Sequence, residues 1–189
     1  PDGIKAAQGH TPNGKSTPAW TFQTNAAGVG GVRATLDDMV SYVQAELGKT
    51  QSAISPALKL TQEQIKTDAN NKMAMNWMLA PLDAHQVHVH EGGTGGFSAF
   101  TLFDLEKQRG VVILSDTALT SVGGLGSLGN HLLDSRLPLG KARKVVKPDA
   151  DLLKAVVGEY DLMPGMKMTL SEKDGRLYTQ TTGQQKFEM

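Results

Sequence analysis

The clearest periodic pattern of apolar positions lies in "LDDMVSYVQAELG", which begins at Leu36. Its apolar residues recur every three or four positions and form one helical stripe: Leu36, Met39, Val40, Val43 and Leu47. Thr35 is a suitable N-cap, Asp38 stands where the acidic partner of a capping box would, and Gly48 can end the helix. The pattern therefore predicts an amphipathic helix from Leu36. A less regular helix is predicted over residues 55–66, with Pro56 in its first turn.

Four apolar stretches between residues 73 and 116 have the length and composition of strands. They read "KMAMNWMLAP", "HQVHVHEGG", "FSAFTLFD" and "GVVILSD", and the last is mostly apolar, which predicts a central strand. The polar turn "LEKQRG" joins the last two as a hairpin. A further helix is predicted over residues 120–134, although its four glycines weaken it. The expected fold class is α/β of the α+β type, an antiparallel sheet flanked by helices.

The two ends of the chain differ from this region. Residues 1–18 have the composition of a loop, and residues 138–148 form a basic segment bracketed by prolines, which is typical of a linker. Residues 149–189 have the pattern of a short helix followed by strands, with a hairpin turn at Lys173-Asp174-Gly175. So short a segment buries little core by itself. We therefore expect one domain over residues 1–137, a linker over 138–148, and the beginning of a β-rich accessory domain over 149–189.

Composition limits the classes of partner. The 189 residues include 19 Lys or Arg and 19 Asp or Glu, for a formal net charge of zero. Nucleic acids and anionic membrane surfaces attract basic proteins, so neither is expected as the main partner. No apolar run approaches the roughly 18 residues that a membrane-spanning helix requires. The absence of cysteine excludes disulfides, thiolate metal sites and a cysteine nucleophile.

The stretch "HVHEGGTGGFSAF", residues 88–100, interrupts a strand with glycines. Glycine within a strand marks a bulge, a tight hairpin or a close approach between the backbone and a ligand. An outward N–H group at such an edge can donate to a developing oxyanion, as acyl transfer requires. Spacing alone leaves both a plain hairpin and a substrate-binding edge open.

Two other patterns suggest sites. His85, His88 and His90 could supply imidazole ligands to a metal, but no second cluster with ligand spacing lies nearby, so we predict no metal site and no cofactor. The glycine-rich "NAAGVGGVRATLDDM" lacks the preceding strand and the Lys-Ser/Thr ending of a phosphate-binding loop. We expect it to line a cleft just before the first helix.

The order of these segments resembles the serine β-lactamase and penicillin-binding protein superfamily. Its class C-like branch includes the class C β-lactamases, the D-Ala-D-Ala carboxypeptidases, the D-aminopeptidases and the family VIII esterases. The resemblance covers residues 20–137, and its most specific part is "HEGGTGGF", residues 90–97. It implies a β-lactamase/transpeptidase-like fold. The tail from residue 149 resembles the start of the β-barrel-like domain that many of these hydrolases carry.

The resemblance assigns catalytic roles to two residues. His90 matches the Lys or His of the third motif, which helps to hold the substrate carboxylate and supports proton transfer around the nucleophile. Gly93 matches the position whose backbone N–H forms half of the oxyanion hole. Because His stands where class C enzymes have Lys, hydrolysis of a lactam is a weaker expectation than hydrolysis of a peptide or an ester.

Four further residues are expected to bind substrate by the same resemblance. Gly92 matches the motif glycine that keeps the strand open, and Thr94 follows in the same motif. Glu91 replaces the usual Thr or Ser. Gly30 falls where class C enzymes carry a tyrosine that lines the cleft, so the pocket wall is expected to be lower and wider here.

The sequence contains no Ser-x-x-Lys and no Tyr-x-Asn, the first two motifs of the superfamily. We therefore expect residues 1–137 to be the C-terminal half of the catalytic domain. The expected partners are the N-terminal half, in the same chain or as a separate one, and a small-molecule or peptide substrate. The resemblance implies a periplasmic or secreted protein whose signal region lies outside this chain. Two alternatives stay open: a non-catalytic binding protein with the same cleft, and a metal-binding module built on the three histidines.

Overall fold

A computed structural model of the protein describes residues 6–67, 72–119, 123–141, 148–183 and 186–188. The chain divides into two compact units, Pro1–Lys141 and Ala142–Met189. The division falls inside the segment predicted as a linker, 138–148, of which residues 142–147 lie outside the described residues. The predicted domain bounds at 137 and 149 stay a prediction.

A six-stranded antiparallel sheet forms the centre of the first unit. Its strands follow one another in chain order across the sheet: Lys66–Thr67 (β3), Lys72–Met73 (β4), Met78–Leu82 (β5), His85–Thr94 (β6), Phe97–Asp104 (β7) and Arg109–Ser115 (β8). Two further short strands, Gly9–His10 (β1) and Ser16–Thr17 (β2), pair with each other near the N-terminus. The prediction of a loop over residues 1–18 was therefore wrong for these four positions. Strands of two residues are too short to give a periodic pattern in the sequence.

The helices of the first unit are Ala27–Gly30 (α1), Leu36–Glu46 (α2), Ser55–Gln62 (α3) and Gly126–Leu133 (α4), and a 3-10 turn, Thr24–Ala26, precedes α1. The predicted capping box of α2 is confirmed, because the Thr35 side chain accepts from the backbone N–H of Asp38 and the Asp38 carboxylate accepts from the backbone N–H of Thr35. Helix α4 starts later than predicted. Gly123 and Gly124 have φ of 110° and 67°, values that no helix contains, and residues 120–122 lie outside the described residues.

Two strand predictions need correction. Residues 72–81 are not one strand, because Asn76 has φ of 62° and the Ala74 N–H donates to the Trp77 carbonyl, which turns the chain between β4 and β5. Strand β8 lies at the edge of the sheet within the described part of the chain, although its apolar composition predicted a central position. The predicted helix over residues 55–66 ends at Gln62, and the chain enters β3 at Lys66.

The core consists of two clusters of buried side chains. One contains Val43, Leu47, Ala74, Trp77, Leu79 and Phe103, and the other contains Leu82, Val87, Phe100, Leu102, Leu125 and Leu133. Helix α2 approaches β8 so closely that a Cβ atom on Gly110 would lie 2.4 Å from Cγ1 of Val43. Helix α4 packs on β7, where Gly129 gives the Phe100 ring its space. The α+β fold with an antiparallel sheet flanked by helices is confirmed.

The second unit has one helix, Ala150–Val156 (α5), and an antiparallel sheet in its described residues. The strands are Gly158–Met163 (β9), Met166–Lys173 (β10), Arg176–Thr181 (β11) and Phe187–Glu188 (β12), in the spatial order β12-β11-β10-β9. The predicted turn at residues 173–175 is confirmed, with positive φ at Asp174 and Gly175. Continuation into a β-barrel-like domain stays a prediction.

Of the helices described in the chain, none is both long and apolar enough to cross a membrane.

Candidate active site

Strand β6 loses its partner on one side before it ends. It pairs with β5 only as far as Val89, which lies opposite Met78, whereas its pairing with β7 continues to Thr94, opposite Phe97. Within the described residues, the segment 90–94 therefore has a neighbouring strand on one side only. This segment contains five of the six residues predicted to form the site.

The alternation of hydrogen bonds along an antiparallel ladder decides where each peptide group points. Thr94 and Phe97 flank the two-residue turn at the end of the hairpin, so they form a hydrogen-bonded pair, as Gly92 does with Ala99. At the positions between, the N–H and C=O groups of Glu91 and Gly93 point away from β7, toward the free edge. This edge can pair with an extended substrate, and the Gly93 N–H is the outward donor nearest the end of the strand.

The side chains of β6 alternate between two faces. His90, Gly92 and Thr94 share one face, and Gly92 is open on it, since a Cβ atom there would meet nothing within 4 Å. Glu91 lies on the other face, where its carboxylate is 3.1 Å from the position of a Cβ atom on Gly124, just before α4. The structure thus brings His90, Gly92 and Thr94 to one surface and places the Glu91 side chain on the opposite side of the strand.

The His90 ring packs against an aromatic cluster. Its ring meets Trp77 edge to face at 6.4 Å between centroids, and Trp77 in turn stacks on Tyr42 at 6.3 Å and meets Phe103 at 4.9 Å. Trp77 is 6% exposed, whereas His90 itself is exposed. The imidazole therefore rests on a buried indole and presents its remaining surface to solvent.

Gly30 lies beside Thr94, although 64 positions separate them in the sequence. A Cβ atom on Gly30 would be 3.3 Å from Cζ of Phe22 and 3.5 Å from Cγ2 of Thr94. Two of the predicted substrate-binding residues thus meet at one point, and the Phe22 ring lies against it. Helix α1, which ends at Gly30, lies beside β6.

The three histidines of "HQVHVH" do not converge. Nε2 of His85 lies 2.9 Å from Asp104, and Nε2 of His88 lies 2.9 Å from the Gln62 carbonyl, while the His88 ring stacks on Phe103. Within the described residues, no group of three or more His, Cys, Asp or Glu side chains could hold a metal ion. The geometry therefore offers no support for the metal-binding alternative.

Buried polar groups beneath the site form a network that the sequence pattern did not indicate. The Gln62 amide donates to the Glu46 carboxylate at 2.6 Å and to the Glu46 carbonyl at 2.8 Å, and Glu46 is only 3% exposed. Burial, together with the neighbouring Glu46 carboxylate, raises the pKa of the Tyr42 phenol well above its usual value. The Tyr42 phenol therefore stays protonated over the physiological pH range.

Sequence reasoning also missed the aromatic residues of the site. Trp77, which directly precedes β5, stacks on Tyr42 of helix α2 only because the two segments come together in the fold, and nothing local indicates that contact. Trp20 and Phe22 stand in a segment that has no regular secondary structure. Two aromatic residues only two positions apart in a loop, "WTF", were the available signal.

Known protein families and solved structures include proteins that are similar to this chain. The family model described as Beta-lactamase matches residues 1–125. Among solved structures, the chain is similar to the octameric penicillin-binding protein homologue from Pyrococcus abyssi, with 17% sequence identity and a TM-score of 0.46. That match covers 82% of this chain and 36% of the other, so this chain spans about a third of that protein. No curated protein matches the sequence.

The match to the family model extends over well over half of the chain and includes α1, α2 and the whole of β6, β7 and β8. The α+β fold is accordingly of the β-lactamase/transpeptidase type. The chain belongs to the beta-lactamase family.

Proposed function

We propose that this chain is part of a serine hydrolase of the class C-like branch, which acts through an acyl-enzyme on lactam, D-amino-acid peptide or ester bonds. One observation carries the proposal. From residue 90 to residue 94, no described strand pairs with the outer edge of β6. The Gly93 N–H points toward this free edge, and the exposed His90 side chain lies on an adjoining face.

The proposed chemistry follows from what such an edge can do. Acyl transfer passes through a tetrahedral oxyanion, and a fixed backbone N–H such as that of Gly93 stabilises it without reorganisation. An imidazole can donate a hydrogen bond to a substrate carboxylate or assist proton transfer near neutral pH, which is the proposed role of His90. The open face at Gly92 leaves room for the substrate between His90 and Thr94.

The nucleophile must come from elsewhere, because this sequence has no Ser-x-x-Lys motif. We propose that the N-terminal half of the same domain supplies it, in one chain or as a separate one. The outer edge of β8 offers a surface on which this partner can pack. It is unpaired in the described part of the chain, and it opens into a groove of about 400 Å³ between α2 and α4, lined by apolar residues such as Val40, Val111 and Leu132. A periplasmic or secreted location is part of the same proposal.

Intact-mass spectrometry after exposure to a fluorophosphonate and to benzylpenicillin tests the proposal. The sample is the enzyme that combines this chain with the half that carries Ser-x-x-Lys. We expect an adduct on that serine. His90→Ala should slow its formation by roughly a hundredfold or more, the usual contribution of a positioned proton-transfer group. His131→Ala, on α4 and bonded to the Leu137 carbonyl, is the matched control. Acylation of the His90→Ala enzyme at the unmodified rate would show that the role given to His90 is wrong.

A non-catalytic binding protein with the same cleft is the second candidate. An N-terminal half that also lacks Ser-x-x-Lys would favour it. Its signature would be reversible binding of benzylpenicillin or of a D-alanyl peptide with no covalent adduct on any chain of the assembled protein. Equilibrium dialysis followed by denaturation separates the two cases, because only an acyl-enzyme keeps the ligand after unfolding.

A further inference from the structure

The three histidines of β6 differ in what holds their rings. Nε2 of His85 lies 2.9 Å from a buried carboxylate oxygen, and Nε2 of His88 lies 2.9 Å from a backbone carbonyl oxygen. Among the described residues, neither ring nitrogen of His90 has a hydrogen-bond partner. The His90 ring packs instead against Trp77, with 6.4 Å between the ring centroids and 87° between the ring planes.

Trp77 and His90 lie opposite each other on two neighbouring segments of the sheet. The ladder between β5 and β6 ends with Met78 opposite Val89, and the next positions toward the free edge are Trp77 and His90. Residues that face each other across antiparallel strands point to the same side of the sheet and form the nearest cross-strand pair. The contact between the indole and the imidazole therefore follows from the register of the sheet.

The Trp77 indole is itself held in place. It is 6% exposed, stacks on Tyr42 with 18° between the ring planes, and meets the fully buried Phe103 ring at 4.9 Å. Its backbone carbonyl accepts from the N–H of Ala74 at 2.9 Å, which closes the turn before β5. Because its side chain and backbone are both fixed, Trp77 presents a rigid surface to the His90 ring.

We propose that Trp77 is the positioning residue of His90 and sets the direction in which the imidazole faces the substrate. This inference rests on the proposed function, since it concerns the reaction at the edge of β6. Proton transfer requires a hydrogen-bond geometry that small displacements disrupt, so the group that performs it is usually held by a neighbour. For His90 that neighbour is an aromatic ring. Both ring nitrogens thus stay available to the substrate carboxylate and to proton transfer.

A double-mutant cycle tests this role in the enzyme that combines this chain with the half that carries Ser-x-x-Lys. Intact-mass spectrometry measures the rate of acylation by benzylpenicillin. We expect Trp77→Leu to slow acylation about tenfold when His90 is present, but by no more than about twofold in the His90→Ala enzyme. A residue that acts through the imidazole contributes nothing once the imidazole is removed. Trp77→Phe keeps an aromatic ring and should stay within about threefold of the unmodified rate.

Leu79→Ala is the matched control. Leu79 belongs to the same core cluster as Trp77, is 8% exposed, and lies opposite His88 instead of His90. It should lower the midpoint of urea unfolding, as Trp77→Leu does, and leave the acylation rate within about twofold.

Carbon relaxation of the His90 imidazole in this chain alone gives a readout that does not depend on catalysis. The order parameter of the ring reports how firmly it is held. We expect it to fall in Trp77→Leu and to stay unchanged in Leu79→Ala.

The outcomes separate this inference from the proposed function. If Trp77→Leu slows acylation equally with and without His90, or leaves the order of the His90 ring unchanged, the positioning role is wrong and the proposed role of His90 stands. If His90→Ala is acylated at the unmodified rate, the role given to His90 is wrong and the positioning role fails with it, even where Trp77→Leu loosens the ring. If the unmodified enzyme forms no adduct, both proposals fail.

Discussion

The glycines of "HEGGTGGF" serve different purposes at different positions. Gly96 has φ of 82° and packs on the backbone of Gly9, so it allows both the turn and the close approach of β1. Gly95 makes room for the Trp20 indole. At Gly92, by contrast, a Cβ atom would meet nothing within 4 Å. One compact motif thus combines packing glycines with a glycine that faces open space.

Gly95→Ala should therefore destabilise the protein, because the added methyl group displaces the Trp20 indole from its contact with the backbone of residue 95. We expect a loss of about 1–3 kcal/mol, the usual cost of overpacking, and a red shift of the tryptophan emission as the indole becomes more exposed. Urea unfolding and fluorescence measure both effects. Gly92→Ala is the matched control and should change the free energy of unfolding by no more than about 0.5 kcal/mol. Equal losses in the two variants would contradict the assignment.

Sequence patterns identified the motif residues but not the contacts that define the site. The position of His90 and Gly93 on one strand segment could be predicted because the motif is contiguous in the sequence. The aromatic support of His90 could not, since Trp77 reaches it only after the chain turns at Asn76 and enters β5. Likewise, the meeting of Gly30 with Thr94 depends on how α1 packs beside β6, which no local pattern encodes.

At the level of elements, local signals predicted most of the helices and strands. The capping box at Thr35 and the hairpin turn at Asp174 depend only on neighbouring residues, and both were predicted. The interruption between β4 and β5 was missed because "KMAMNWMLAP" contains neither Gly nor Pro before its end, and its turn uses a non-glycine residue with positive φ, Asn76.

The turn between β7 and β8 depends on one buried carboxylate. Oδ1 of Asp104 accepts from the backbone N–H groups of Glu106 and Lys107 at 2.9 and 3.0 Å, and Oδ2 lies 2.9 Å from Nε2 of His85. Burial alone would raise the pKa of this carboxyl, but the Lys107 N–H, the His85 imidazole and the Glu106 N–H outweigh it and hold the pKa below its usual value. The ionised form thus ties the end of β7 to the turn and to β6.

This carboxylate gives a predicted pH dependence of stability. Because its pKa is lowered in the folded state, its contribution is complete above the unfolded pKa of about 3.9 and is lost as the pH falls through the lower folded value. Urea unfolding at a series of pH values measures it. Asp104→Asn should lower the free energy of unfolding by about 1–3 kcal/mol at neutral pH. It should also make that free energy fall less steeply as the solution becomes acidic.

Glu106→Gln is the matched control for this experiment. Its carboxylate lies 3.6 Å from Nδ1 of His85, and its side chain is largely exposed, so the loss should be small. If the free energy of unfolding of the Asp104→Asn protein falls as steeply at acidic pH as that of the unmodified protein, another carboxyl group governs the pH dependence.

For the molecule as a whole, the composition of β8 conflicts with its position. Val111 and Ile113 pack toward one core cluster and Val112 toward the other, so side chains of both faces of the strand are covered, as is typical of strands inside a sheet. Yet the sheet ends at β8 within the described residues. The ladder with β7 directs the N–H groups of Val112 and Leu114 toward the free edge. An apolar edge with unpaired donors is a template for a further strand.

We therefore expect this chain, when it is separated from its proposed partner half, to self-associate through the edge of β8. Leu114→Pro tests this, because proline removes one outward N–H at a position that is 41% exposed. Two hydrogen bonds of about 0.5–1.5 kcal/mol each are lost across a symmetric edge pair, so the association constant should fall by roughly tenfold. Sedimentation velocity over a range of concentrations measures it. Leu114→Thr keeps the N–H and removes the apolar side chain, so it separates pairing from hydrophobic contact. If the threonine variant loses association as fully as the proline variant does, the contact is made by the Leu114 side chain and not by the strand edge.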